Sequence, residues 1–224
     1  MEWQPPLFDE PPRQGAIGAI EHWLTASGRD PALGVDEAGR GPLAGPVVAA
    51  AVCLPPILPA VLADLNDSKK LSEITRERLY GALLEHAIAW GVGVIEAPRI
   101  DAINILEATR EAMRAAADIA CRTLGGPPRA LLVDGNLRLP GWVGPQWALV
   151  KGDGRSLQIA AASVLAKVTR DRLMVQLEAR YPGYGFARHK GYGTVEHRRA
   201  LSRLGPCPEH RRSFRWNALD APEG

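Results

Sequence analysis

Two short apolar runs, at 32–35 and 47–52, are joined by Asp36-Glu37-Ala38-Gly39-Arg40-Gly41-Pro42-Leu43-Ala44-Gly45-Pro46. This stretch constrains the fold more than any other. Two adjacent carboxylates stand where a buried strand should end, and a Gly-Arg-Gly turn follows with no helix signal behind it. Apolar runs joined by a tight glycine turn predict an antiparallel strand pair. Carboxylates at a strand end can hold a hard divalent cation, and glycines let the backbone itself touch a ligand. The dinucleotide fingerprint does not fit, because it needs G-x-G-x-x-G opening a helix. Here Gly45 comes one position late, and Pro42 and Pro46 punctuate the run. A phosphate loop needs Gly-Lys-Ser/Thr, which is absent. The plain alternative is a hairpin turn with a solvated acidic pair.

The rest of the chain alternates strand and helix signals. A short helix is expected near Ala16–Ser27, then strands at Leu33–Glu37 and Pro46–Leu54. Ser72 can cap a helix running to about Ile88, with Ile74, Leu79, Leu83 and Leu84 on one side. Trp90–Glu96 reads as a third strand, weakened by Gly91 and Gly93. Asn104–Leu124 is an alanine-rich helix, stopped by Gly125-Gly126-Pro127-Pro128. Ala130–Asp134 has the continuous apolar pattern of a strand buried on both faces, and Trp147–Lys151 is another. Ser156–Ala179 is a long helix. A basic, aromatic-rich loop runs to Gly193, and Thr194 starts a last helix to about Leu204. This order predicts an α/β fold with a mixed sheet flanked by helices. The 224 residues suit one domain over 15–216. Residues 1–14 and 217–224 are expected to fray as tails.

No apolar stretch approaches the ~20 residues of a membrane span, so no membrane partner is expected. The start, Met1-Glu2-Trp3-Gln4-Pro5-Pro6, lacks the basic and apolar pattern of a signal peptide. Cys53, Cys121 and Cys207 are odd in number and widely spaced, which argues for a reducing, cytoplasmic setting. Cys207-Pro-Glu-His210 has no second Cys/His pair to complete a zinc site and reads as loop chemistry. The net charge of +2 hides an asymmetry. Residues 1–150 hold 13 Lys+Arg against 18 Asp+Glu, a net of −5, while 151–216 hold 14 against 5, a net of +9. Such a split suggests a nucleic-acid partner; a solvated basic helix face is the alternative.

Leu131-Leu132-Val133-Asp134 places a carboxylate at the C-terminal end of a buried strand, where ligand sites of open α/β sheets gather. Ala148-Leu149-Val150-Lys151-Gly152-Asp153 repeats the design. With Asp36 and Glu37 this makes four carboxylates, which together fit a two-metal phosphoryl-transfer site holding Mg2+ or Mn2+. Adjacent strand residues point to opposite faces, so Asp36 and Glu37 share a site only if the strand curls as it ends or Glu37 reaches round. Ser68, Lys69 and Lys70 precede a helix and suit phosphate contact; a helix cap with solvated lysines is the alternative. Asn104 either contacts substrate or caps the helix it begins. Lys167 and Asp171 are spaced for a structural i,i+4 pair. His189 and His210 sit among basic residues, where either could meet a phosphate.

These segments resemble ribonuclease HII, the type 2 ribonuclease H. Further matching blocks are Leu65-Asn66-Asp67-Ser68-Lys69-Lys70-Leu71-Ser72, Ile103-Asn104-Ile105-Leu106-Glu107-Ala108-Thr109 and Ala160 through Asp171. Tyr181-Pro182-Gly183-Tyr184-Gly185-Phe186-Ala187-Arg188-His189-Lys190-Gly191-Tyr192-Gly193-Thr194 and His210-Arg211-Arg212-Ser213-Phe214 complete the series, in order, from about Leu33 to Phe214. Arg215-Trp216-Asn217 departs from the usual ending.

The resemblance implies a ribonuclease H-like sheet with a small C-terminal helical region, its basic substrate-binding part at about 181–216. It implies a monomer that cleaves the RNA of RNA–DNA hybrids and incises 5′ to single ribonucleotides in duplex DNA, leaving 3′-hydroxyl and 5′-phosphate ends. By the same likeness Asp36, Glu37, Asp134 and Asp153 are the catalytic metal ligands. Gly39, Arg40 and Gly41 contact the 2′-hydroxyl, the group that separates RNA from DNA. Tyr192 packs on the deoxyribose 3′ of the ribonucleotide, with Tyr184 as the nearby competitor. A non-catalytic hybrid-binding protein would require a missing carboxylate, and none is missing. Another two-metal nuclease of the same fold would not need the Gly39–Gly41 turn and Tyr192 together. Gln4-Pro5-Pro6-Leu7-Phe8 faintly resembles a sliding-clamp-binding peptide.

Overall fold

The computed structural model describes residues 10–13 and 15–215. The peptide at Gln4–Phe8 therefore lies outside the described residues. Five strands form one sheet: β1 (Ala32–Ala38), β2 (Val47–Cys53), β3 (Ala89–Ile95), β4 (Ala130–Asp134) and β5 (Gln146–Leu149). Their order is β3-β2-β1-β4-β5. β2 pairs antiparallel with β1 and β3, and β4 pairs parallel with β1 and β5. The helices are α1 (Ala19–Ala26), α2 (Glu73–His86), α3 (Ala97–Ile103), α4 (Ile105–Leu124), α5 (Leu157–Arg180), α6 (Phe186–His189) and α7 (Val195–Leu204). This is the expected mixed sheet flanked by helices.

All seven residues of β2 are buried, because helices cover both faces of the sheet. Ala49, Ala51 and Cys53 meet the alanines of α4. Ala50 and Val52 join the cluster of α2 and α5. Small side chains let α4 sit close. A Cβ at Gly91 would lie 2.3 Å from the Ala116 carbonyl oxygen, and one at Gly93 would lie 2.1 Å from that of Ala112. The two glycines that weaken β3 by propensity are thus what seats α4 against it.

Several boundaries differ from expectation, each for a local reason. β1 continues through Ala38, paired with Val48, so the carboxylates lie within the strand. β5 stops at Leu149, and Lys151 adopts a left-handed conformation (φ 55°). Asp153 therefore sits in a 3₁₀ turn, Gly152–Gly154, rather than at a strand end. α3 was not expected; Pro98 in its first turn is compatible with a helix start. Asn104 (φ 69°) separates α3 from α4. Ile74 and Leu84 are 84% and 38% exposed; α2 buries the narrower stripe Leu79, Ala82 and Leu83. The basic loop contains the short helix α6. The C-terminal helical region packs Tyr184, Phe186, Ala200, Leu201 and Cys207 onto Leu43, Ala44 and Met174. No helix among the described residues is long and apolar enough to cross a membrane.

Candidate active site

Parallel register brings two of the carboxylates together. Val35 of β1 is paired with Val133 of β4, so Asp36 and Asp134 follow one step later on neighbouring strands. They lie where the sheet changes from antiparallel to parallel pairing, at the carboxyl ends of parallel strands, the usual ligand crevice of such sheets. Asp36 is 5% exposed and its Oδ1 accepts the Glu37 amide at 2.7 Å. Burial first, then the charges of Glu37 and Asp134, hold its carboxyl well above the ordinary range. Burial also raises Glu37, against the opposing pull of Arg40, whose guanidinium lies 3.6 Å away. Asp134 Oδ1 accepts the Gly152 amide at 2.7 Å. That bond ties the 3₁₀ turn, and with it Asp153, to β4.

Asp153 is buried and raised, by desolvation first and then by Asp67 and Asp134. Lys69 Nζ stands 3.7 Å from it. Burial lowers the Lys69 ammonium, but Asp153, Asp67, Asp36 and Asp134 outweigh it and raise the group. Negative charge thus accumulates here beyond what Arg40 and Lys69 neutralise. The donors are all oxygen, which suits a hard divalent cation. Among the described residues, however, no three such side chains converge on a single point. The set fits a metal by its chemistry and charge rather than by a preformed cage.

A cleft of about 420 Å³ is lined by three of the four expected carboxylates; Asp153 lies outside its lining. Asp36, Glu37 and Asp134 line it together with Gly39-Arg40-Gly41 and Tyr192. Asp36 lies on the α5 side of the sheet, near Ser163. Glu37 also borders a small groove lined by Thr109 and Met113 of α4. The two adjacent side chains belong to opposite faces of the sheet, and both line the cleft.

Other expected site residues distribute differently. Ser68 lines the cleft, but its hydroxyl is buried against Ser163 Oγ at 2.7 Å. Lys69 lines the cleft with an exposed side chain. Lys70 and Asn104 do not line it. Asn104 Oδ1 instead accepts the Leu106 and Glu107 amides at 2.9 and 3.1 Å, capping α4. The sequence reading missed Ser163 and Arg170, and took Lys167 as structural only. These three α5 residues line the cleft together. Their i, i+4, i+7 spacing marks one helix face. Lys167 also pairs with Asp171 at 2.7 Å, as its spacing suggested.

Two of the fourteen bases expected to form a phosphate cradle turn inward. Arg170 and Arg211 are 1% and 0% exposed, and their hydrogen bonds go to backbone carbonyls. The remaining exposed bases are the ones available to a polyanion.

Tyr192 and Tyr184 have different fates. Tyr184 is buried, stacked on Phe186 at 5.2 Å, and its hydroxyl donates to the Gly205 carbonyl at 2.7 Å. Tyr192 is 47% exposed, and a Cβ at Gly41 would lie 3.7 Å from its Cε1. Its carbonyl accepts from His197 Nδ1 at 2.9 Å. His197 Nε2 then lies 3.0 Å from His210 Nε2, and the Cys207 amide donates to His210 Nδ1 at 3.0 Å. A carbonyl only accepts and an amide only donates, so the chain closes with both imidazoles neutral. His210 is buried, and His189 Nε2 is engaged at 2.7 Å by the Tyr184 carbonyl. Both ring systems serve the loop's packing.

Burial pushes His197 and His210 down to about 4 from an ordinary 6.5. A histidine depressed in the folded state contributes stability that is complete above its unfolded value and lost as pH falls through the folded one. Thermal stability is therefore expected to drop between pH 6.5 and 4, with a slope of at most about 1.4 kcal/mol per pH unit for each histidine. Melting curves across that range should be flatter for His197→Gln than for the unsubstituted protein. An equally steep fall would place the acid lability elsewhere.

The Ribonuclease HII family model matches residues 33–217. The Ribonuclease HII of Syntrophotalea carbinolica is 54% identical over 196 residues, 88% of this chain and 90% of the relative. Among solved structures, the PCNA:RNase HII complex from Archaeoglobus fulgidus superimposes with a TM-score of 0.66 at 26% identity, over 83% of this chain and 96% of that one. Bst-RNase HIII in complex with Mn2+ shares the fold, with a TM-score of 0.57 at 23% identity, over 78% of this chain and 62% of that one. A family match across nearly all of the folded sequence, on a sheet that gathers carboxylates at its parallel ends, establishes that the chain belongs to the ribonuclease HII family and is an endoribonuclease of the type 2 ribonuclease H class.

Proposed function

We propose that the protein hydrolyses the phosphodiester 5′ to a ribonucleotide, in RNA–DNA hybrids and at single ribonucleotides within duplex DNA, leaving 3′-hydroxyl and 5′-phosphate ends. The observation that carries this reading is that Asp36, Glu37, Asp134, the Gly39–Gly41 turn and Tyr192 line one cleft. Asp36, Glu37, Asp134 and Asp153 would hold Mg2+ or Mn2+, which when bound supplies an activated water and neutralises charge on the phosphate. Support comes from the all-oxygen donor set, its unbalanced negative charge and the Mn2+ complex of Bst-RNase HIII.

The chain's own residues then read the substrate. Backbone groups of Gly39, Arg40 and Gly41 hydrogen-bond the 2′-hydroxyl. The Tyr192 ring packs on the sugar that follows. Lys69, at the cleft's edge, meets a phosphate. We further propose that residues 15–216 work as one domain flanked by tails. The relative from Archaeoglobus fulgidus was solved with PCNA, and a clamp contact through Gln4–Phe8 is proposed on that likeness; loss of clamp capture on deleting residues 1–9 would test it.

The decisive experiment offers a duplex with one embedded ribonucleotide in Mg2+ or Mn2+. The expected product is a single nick 5′ to it, with ends that ligase can reseal. Cleavage on the 3′ side, cyclic phosphate ends or no cleavage would overturn the reading. Binding should also show its charge dependence. Lys69→Ala or Lys70→Ala is expected to weaken binding to all duplexes about equally and reduce the log–log salt slope by about one per lost contact. An unaltered slope, read by anisotropy over a salt series, would mark that lysine as solvated.

A further inference from the structure

Arg170 and Arg211 are the largest fully buried side chains, and they enclose the glycine turn from within. Arg211 donates to the carbonyls of Gly39 (2.6 Å), Arg40 (3.1 Å), Pro42 (2.9 Å) and Gly45 (2.8 and 3.0 Å). Arg170 donates to Pro46 (2.9 Å) and Ala44 (3.2 Å). In a trans peptide the C=O and the following N–H point opposite ways. Carbonyls 39 and 40 face Arg211, so the Arg40 and Gly41 amides face away from it. Among the described residues neither amide has a protein acceptor. Two donors are thus left free on residues that line the cleft.

Arg170 does one thing more. Its remaining Nη reaches across to the Lys190 carbonyl at 3.0 Å, two residues before Tyr192. The Leu43 amide reinforces this bridge by donating to the Gly191 carbonyl at 2.8 Å. The fit is close: Gly39 has φ 97°, and a Cβ there would lie 2.0 Å from Arg170 Nε. One planar cation therefore joins the turn to the loop that carries Tyr192. A guanidinium can do this because its donors form a fixed fork, whereas an ammonium is a point charge on a flexible stem.

We propose that Arg170 is a specificity-determining positioning residue: it fixes the spacing between the amides that meet the 2′-hydroxyl and the ring that meets the next sugar, so that both are satisfied only at a ribonucleotide–deoxyribonucleotide step. This rests on the junction reading given above. Arg170 touches no reacting atom in this scheme; it acts through Tyr192 and the turn. On a uniform hybrid every sugar of the cleaved strand carries a 2′-hydroxyl, and the spacing brings less advantage.

The test measures kcat/KM for Arg170→Lys, Tyr192→Ala and the double variant, each on a single-ribonucleotide duplex and on a uniform hybrid. Arg170→Lys should lower the junction-over-hybrid ratio about tenfold, within the range an aromatic contact can supply. In the Tyr192→Ala background it should lower that ratio no further. Equal losses on both substrates would make Arg170 a packing residue only. A full further loss in the double variant would separate it from Tyr192. The Tyr192→Ala arm alone tests the junction reading, so its failure is distinct from failure of the coupling. Should Arg170→Lys not fold, Arg170→Gln gives a second route, because it removes the fork that joins the turn to the Lys190 carbonyl while leaving every residue of the turn in place. The same fall in ratio is expected, and an unchanged ratio would overturn the proposal.

Discussion

Asp36→Asn and Asp134→Asn are each expected to reduce cleavage by about 10²- to 10⁴-fold while the fold persists. The loss follows from removing one oxygen donor and one negative charge from the set that would hold the metal, whose charge stabilisation is worth several kcal/mol, at about 1.4 kcal/mol per tenfold in rate. Stability should move the other way for Asp36. Its carboxyl is buried and crowded by Glu37 and Asp134, so its folded-state value is raised. A raised carboxyl costs stability once pH exceeds its unfolded value. The amide keeps the shape and removes the charge. In chelator at pH 7, Asp36→Asn should therefore melt above the unsubstituted protein. Turnover in saturating Mg2+ and Mn2+, with melting curves alongside, reads both effects. Unchanged turnover would remove Asp36 from the reacting centre, and a lower melting temperature would show that its charge is already balanced.

Tyr192→Ala should cost more on a single embedded ribonucleotide than on a uniform RNA–DNA hybrid. The ring is 47% exposed at the cleft, its carbonyl is held by His197, and its edge lies near Gly41. A flat ring can pack on a sugar that lacks a 2′-hydroxyl and would crowd one that bears it. Losing such a contact costs ~1–3 kcal/mol, or roughly 5- to 150-fold in rate if expressed in the transition state. The comparison needs kcat/KM for both proteins on both substrates at one salt concentration. Equal losses would reduce Tyr192 to general packing. No loss would leave the glycine turn as the sole reader, since the Tyr184 ring is committed to Phe186 and its hydroxyl to Gly205.

What the sequence revealed depended on distance along the chain. Asp36, Glu37 and Asp134 were legible because a carboxylate ending an apolar run is a local pattern. The cap at Ser72 was legible for the same reason, and the helix starts at Ser156 and Thr194 fall on the observed N-caps. The setting of Asp153 was misread as a strand end, because nothing in Val150-Lys151-Gly152 announces that Lys151 turns left-handed. Asn104 is committed to its helix cap by a positive φ that only the folded backbone displays. The inward turn of Arg211 was invisible: its acceptors lie 166 to 172 residues earlier in the chain. Charge counting placed it with the surface bases, although it spends its donors on carbonyls. Asp36 and Glu37 looked geometrically incompatible only while the site was imagined on one face of the sheet.

The same long reach sets an order on biosynthesis. The side chain that gathers the carbonyls of Gly39–Gly45, Arg211, is made 166 to 172 residues after them. At about 5–20 residues per second, the interval between translating Gly45 and Arg211 is roughly 8–33 s. During that time the turn lacks the guanidinium of Arg211, and for most of it that of Arg170 as well. All five strands are therefore translated before the turn acquires this partner. A product truncated at the end of α7 would keep Asp36, Glu37, Asp134 and Asp153 but lack the guanidinium that gathers the carbonyls of the turn.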